Sequence, residues 1–184
     1  MRQAAGREAI ELLLEPMHHL EAIQDEGGAQ AWAAVGVDPQ FLVRHAGGER
    51  FAAGWYLLEL DIEVADGYFD NPCFYPDYGA GASDGSRINF APTVQGGKPL
   101  RAVVRLDHDV ASLRFDPSTA PCSFTIRRAA FVPMGTATAA ARMLARLWAR
   151  LRRDRSLWTF AAREAFDSFR EGGLGGFGDW LYLM

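Results

Sequence analysis

The chain has 184 residues, 49% of them hydrophobic, with 19 basic and 23 acidic side chains for a net charge of −4. That apolar fraction supports a buried core and excludes wholesale disorder. The negative balance argues against a nucleic-acid partner. Cys73 and Cys122 are the only cysteines, so a disulfide framework is excluded and two buried free thiols are expected.

In chain order, residues 1–24 place Ile10, Leu13, Leu14, Met17, Leu20 and Ile23 at three- and four-residue spacing. This spacing predicts an N-terminal helix, kinked or ended at Pro16 and closed by Gly27-Gly28. His18-His19 would point about 100° apart on a helix, so no metal role is expected. Residues 29–53 are transitional, with a first strand at Phe41 to Arg44. Gly54 to Val64 alternates apolar residues with Glu59, Asp61 and Glu63, and Asp66-Gly67 follows as a turn. Residues 71–78 form an aromatic strand interrupted by Pro72 and Pro76, which predicts a sheet edge. Arg87 to Phe90 and Leu100 to Leu106 read as strands around the loop Gln95-Gly96-Gly97-Lys98-Pro99. Val110 to Asp116 and Cys122 to Val132 read as two strands joined by the turn Asp116-Pro117-Ser118-Thr119.

After Gly135 the period changes. Ala139 to Arg153 carries Met143, Leu144, Leu147, Trp148 and Leu151 on one stripe, and a second helix runs from about Leu157 to Arg170. The expected architecture is mainly β: an antiparallel β-sandwich, jelly-roll-like, with an N-terminal helix and C-terminal helices. Its divisions are 1–34 (N-terminal helical segment), 35–134 (β-sandwich) and 135–184 (C-terminal amphipathic helical extension).

Between Tyr75 and Asn89 lies the most site-like stretch. Sugar recognition needs an aromatic ring against the C–H face of a pyranose and planar carboxylate, amide or guanidinium groups for its hydroxyls. Tyr75, Asp77, Tyr78, Asp84, Arg87 and Asn89 supply those types. The competing reading is an ordered hairpin loop with tyrosines plugging the sandwich and aspartates capping turns. An open groove lined by Tyr75 and Tyr78 would mark a binder, whereas burial of the rings would mark a scaffold. No cofactor is expected. A structural calcium ion on Asp66, Asp70, Asp77 and Asp84 is the secondary option, although D-x-D-x-D-G spacing is absent. Arg114 and Asp116 share a strand face and read as an ion pair or turn cap. Asp107-His108-Asp109 reads as a polar turn.

No G-x-S-x-G, Walker or dinucleotide pattern stands in the required strand-to-helix setting, so no catalytic residue is expected. Arg142, Arg146, Arg150, Arg153 and Trp148, with Arg152 and Arg155 beside them, form a cationic helix. It is expected to be a solvated face or a surface for a partner or an anionic membrane. Glu8, Glu11 and Glu15 interrupt any signal-peptide core, and no apolar run of about 18 residues exists. The expected location is cytoplasmic, with the inner-membrane periphery as the variant.

The order of landmarks resembles the β-sandwich accessory module found at the start of bacterial polysaccharide and O-antigen glycosyltransferases. The features that carry it are Gly54-Trp55-Tyr56, Phe74 to Gly81, Leu113-Arg114-Phe115-Asp116-Pro117, the strand to Val132, and an Arg-rich helix followed by Arg170 to Gly176. The resemblance covers roughly residues 35–178. It implies a non-catalytic, carbohydrate-binding accessory role in saccharide assembly, with a saccharide or a glycosyltransferase domain as partner. The alternative is a structural scaffold or protein-interaction domain with no ligand pocket.

Overall fold

A computed structural model describes residues 8–24, 30–90, 93–94, 99–110, 112–154 and 156–183. The expected loops at Gly27-Gly28 and Gln95 to Lys98, together with Arg155, lie outside the described residues. The chain divides into two compact units, Met1–Met134 and Gly135–Met184.

The first unit contains β1 (Ile10–His18), β2 (Leu20–Gln24), β3 (Gln30–Ala34), β4 (Gln40–His45), β5 (Gly54–Asp66), β6 (Phe69–Asp70) and β7 (Cys73–Asp77). It continues with β8 (Ile88–Asn89), β9 (Thr93–Val94), β10 (Leu100–Leu106), β11 (Ser112–Asp116) and β12 (Cys122–Met134). All pairings among the described residues are antiparallel. One sheet has the order β2-β3-β12-β5-β10 and the other β1-β4-β11-β7-β8, while β6 pairs with β9. From β3 onward the chain crosses between the sheets except at the β7–β8 hairpin, giving β3-β12-β5-β10 against β4-β11-β7-β8. That interleaving is the jelly roll.

Alternation of side chains supplies the core. Phe41 and Val43 of β4, Phe74 of β7, and Leu113 and Phe115 of β11 point inward and are almost wholly buried. They meet the opposite sheet through aromatic edges: Phe41 lies 5.4 Å from Trp32 and 6.3 Å from Phe124, and Phe74 lies 5.6 Å from Phe131. Such contacts add to the burial of ring area in holding the sheets together. Cys73 and Cys122 are free and buried.

The N-terminal helix is corrected to strand. Ile10, Leu12 and Leu14 also satisfy a period of two, and the run Leu12-Leu13-Leu14 hides which period operates. Tertiary pairing decides for β. Ile10 and Glu11 pair with Phe131 and Ala130 of β12, and Leu12 to Pro16 then pair with β4, so β1 bridges the two sheets. Pro16 sits at the register shift before His18 rather than at a helix kink. A turn at His19, with φ of 47°, then sends the chain into β2. The expected edge strand at residues 71–78 is also corrected, because β7 lies between β11 and the two-residue β8.

The second unit is helical. α1 (Thr136–Arg153) buries Ala139, Met143, Leu147 and Leu151, one per turn. Asp154 ends it by accepting hydrogen bonds from the Ser156 backbone N–H at 2.9 Å and hydroxyl at 2.6 Å. α2 (Leu157–Leu183) breaks at Gly173, where φ is 60° and ψ is −142°. Beyond the break, a Cβ at Gly176 would collide with the Ser168 carbonyl oxygen. The glycine-rich run thus permits both a bend and close backbone packing.

Candidate functional site

The inward residues of β7 and β11 belong to the core, and their alternates point outward. Cys73, Tyr75 and Asp77 of β7 share the outer face of the second sheet with Ser112, Arg114 and Asp116 of β11. Register aligns them in rows: Ser112 opposes Asp77, Arg114 opposes Tyr75 on one side and Leu42 on the other, and Asp116 opposes Cys73, which in turn opposes Asn89.

Tyr75 is the hub of this cluster. The Arg114 guanidinium lies 4.2 Å from its ring centroid and that of Arg87 lies 5.8 Å away, so two cations converge on one ring. The Arg114 Nη2 also donates to Asp116 Oδ2 at 2.9 Å. Asp116 is 8% exposed. Burial pushes its carboxyl up to about 6, against the opposing pull of Arg114's charge and hydrogen bond. Burial likewise raises the Tyr75 hydroxyl, with the neighbouring Cys73 adding to it, and raises the Cys73 thiol against the charge of Arg87. Arg114 Nε and Asp116 Oδ1 are buried without a hydrogen-bond partner among the described residues. Leu42, Arg44 and Ser112, on the same face, help to line a cleft of about 190 Å³ that continues to His45, Arg50 and Phe51.

Three of the six residues singled out from the sequence therefore come together: Tyr75, Arg87 and Asn89. Asp77 instead closes its own loop, its Oδ1 accepting from Gly79 N–H at 2.7 Å and Gly81 N–H at 2.8 Å. Tyr78 turns toward the loop after β10, where its hydroxyl accepts from Asp107 N–H at 3.3 Å and its ring meets His108 edge-on at 5.5 Å. Asp84 opens the 3-10 turn Asp84–Ser86 and is exposed. Tyr75 and Tyr78 thus have different partners, the first Arg87 and Arg114, the second Asp107 and His108. Arg114, Asp116 and Cys73 join the site instead. Only Arg114 and Asp116 left a sequence signal, their shared strand face; their alignment with Tyr75 depends on register.

Asp107-His108-Asp109 is a polar turn. Asp107 pairs with Arg105 at 2.8 Å and Asp109 Oδ1 accepts from Ala53 N–H at 2.8 Å. Among the described residues, no group of three His, Cys, Asp or Glu side chains is arranged to hold a metal ion. Of the cationic helix, Arg142, Trp148, Arg150 and Arg153 are exposed. Arg146 instead donates through Nη2 to the Tyr182 carbonyl oxygen at 3.2 Å, and burial lowers its proton affinity, with Arg150 adding to the effect.

No protein-family model matches the chain, and no curated protein does. Similar solved structures are carbohydrate-binding modules. BiXyn10A CBM1 in its apo form is 10% identical, with a TM-score of 0.45 over 70% of this chain and 99% of that one. A family 29 carbohydrate-binding module from Piromyces equi is 5% identical, with a TM-score of 0.43 over 66% and 80%. CBM6cm-2 from Cellvibrio mixtus lichenase 5A, in complex with cellotriose, is 14% identical, with a TM-score of 0.40 over 71% and 99%. Identities and scores this low carry no argument about ligand or partner.

Proposed function

We propose that this chain is a non-catalytic carbohydrate-binding module that accompanies a glycosyltransferase of polysaccharide assembly. Its site is the outer face of the β1-β4-β11-β7-β8 sheet around Tyr75. The observation that carries the reading is the convergence of Arg87 and Arg114 on that ring, with Asp116 bonded to Arg114, Asn89 opposite Cys73 in the same sheet, and a cleft beside them. A sugar hydroxyl both donates and accepts. Arg114 Nε and Asp116 Oδ1, a donor and an acceptor left without partners, match a pair of hydroxyls on one ring. Binding then requires the Arg114 guanidinium to yield part of its cover over Tyr75. The module would hold the growing saccharide near a transferase that performs the chemistry.

The scaffold reading has one observation on its side: Tyr75 is 8% exposed beneath Arg114, the state of a packed ring. Isothermal titration against a panel of bacterial polysaccharides and neutral oligosaccharides separates the two. Saturable binding that Arg114→Ala and Tyr75→Ala weaken at least ~tenfold, with far-UV circular dichroism unchanged, supports the module. Silence across the panel moves the assignment to the scaffold.

A further inference from the structure

The helical unit carries a second surface that owes nothing to the saccharide reading. Residues 135–184 hold eight arginines against five acidic side chains, a net of +3 in a chain of −4. On α2, Trp158, Ala162, Phe166 and Phe169 recur at four, four and three residues, so they share one helix face. That face is open: Trp158 is 42% exposed, Phe166 64% and Phe169 50%. On α1, Leu144 and Trp148 lie one turn apart and are as exposed, and Trp148 meets Trp158 edge-on at 5.4 Å. The two helices thereby present one continuous aromatic shelf. Beside it, an apolar groove of about 220 Å³ is lined by Leu147, Leu151, Ala161 and Trp180 among others. Exposed apolar surface this continuous marks an interaction site.

We infer that this shelf seats the protein on an anionic lipid bilayer. The charge decides the occupant. Arg152 lies 5.3 Å from the Trp148 ring, and Arg170 follows Phe166 by one turn on α2. Neither makes an ion pair among the described residues, so both are available to headgroup phosphates while the rings sink to the acyl boundary. A second copy of the unit would set like charges against each other. The surface also differs from the arginine stripe read from the sequence, since Arg146 turns inward and Trp148 projects from the other flank of α1. No helix among the described residues is long and apolar enough to cross a membrane, so the contact is a peripheral one.

Sedimentation of the full chain with sucrose-loaded phosphatidylcholine vesicles, with and without about 30% phosphatidylglycerol, tests the inference. Binding to the anionic vesicles at least ~tenfold above the neutral ones is expected, weakening with added salt. Phe166→Ser with Phe169→Ser should lose at least ~tenfold, and Arg152→Gln with Arg170→Gln several-fold together with most of the salt response. Should a variant misfold, quenching of wild-type tryptophan fluorescence by brominated phosphatidylcholine in the anionic vesicles reads insertion directly. Absence of sedimentation, absence of quenching, or a dimer that shields both tryptophans from the vesicles would each overturn it.

Discussion

The two faces of the sheet containing β7 and β11 come from the same ten residues, yet they obey different physics. Inward, Phe74 and Phe115 meet at 5.4 Å and join Phe41, Phe90 and Phe131 in an aromatic core. Outward, Tyr75, Arg114 and Asp116 are also largely buried, but by one another, and they bury charge as well as ring. The inner face gains from every contact it makes. On the outer face, desolvation of Asp116 opposes its pairing with Arg114, and two polar atoms remain unmatched. Closely packed polar groups that are incompletely satisfied are a costly arrangement for a fold to keep, which is why the outer face, rather than the core, carries the functional proposal.

Breaking the inner face should have the largest effect. Phe115→Ala removes a ring that is 1% exposed and is expected to cost about 3–5 kcal/mol in urea unfolding. A loss below about 1 kcal/mol would contradict a close-packed aromatic core.

The outer face should respond to pH instead. Asp116 binds its proton more tightly folded than unfolded, because its folded pKa of about 6 lies above the ordinary value of 3.8. Below that ordinary value the carboxyl is protonated in both states and carries no penalty. As pH rises through about 6 the buried group must ionise, so folded stability falls across this window. Relative to wild type, Asp116→Asn should therefore become more favourable by about 2–3 kcal/mol between acid and neutral pH. A difference between the two proteins that stays flat with pH would mean that burial does not govern the ionisation of Asp116.

A third substitution marks the lower limit. Arg44 and Glu15 pair at 2.9 Å on the same outer face, but both are more than half exposed. Glu15→Gln should change stability by less than about 1 kcal/mol, and less again in high salt. An effect as large as that of Asp116 would mean that position on the outer face, rather than burial, sets the energetics.

Much of this contrast was legible beforehand. Leu113 and Phe115 alternating with Ser112, Arg114 and Asp116 told which side chains face which way, and the strand at Leu100 to Leu106 carried its boundaries in its pattern. What could not be read is register. Nothing local says that Arg114 lies beside Tyr75, whereas the loop around Tyr78 gathers suitable residue types in sequence, and there Asp77 serves the backbone. The N-terminus is ambiguous for a related reason. Three consecutive leucines fit either period, and the partners that select strand lie as far along the chain as Phe131. The glycines after Arg170 were visible as a motif, but their reason, a bend at Gly173 and the approach of Gly176 to the Ser168 carbonyl, lies in the packing.

The bridge made by β1 also sets a timetable. Ile10 leaves the ribosome more than a hundred residues ahead of its partner Phe131. At ordinary translation speeds that interval is on the order of ten seconds. Throughout it the edge at Ile10 and Glu11 lacks its partner in β12, so the nascent jelly roll stays open along one seam. Closure is thus a late, long-range event of the kind that slows folding. A chain stalled before β12 should hold a strand that any chaperone, or any neighbouring nascent copy, could capture.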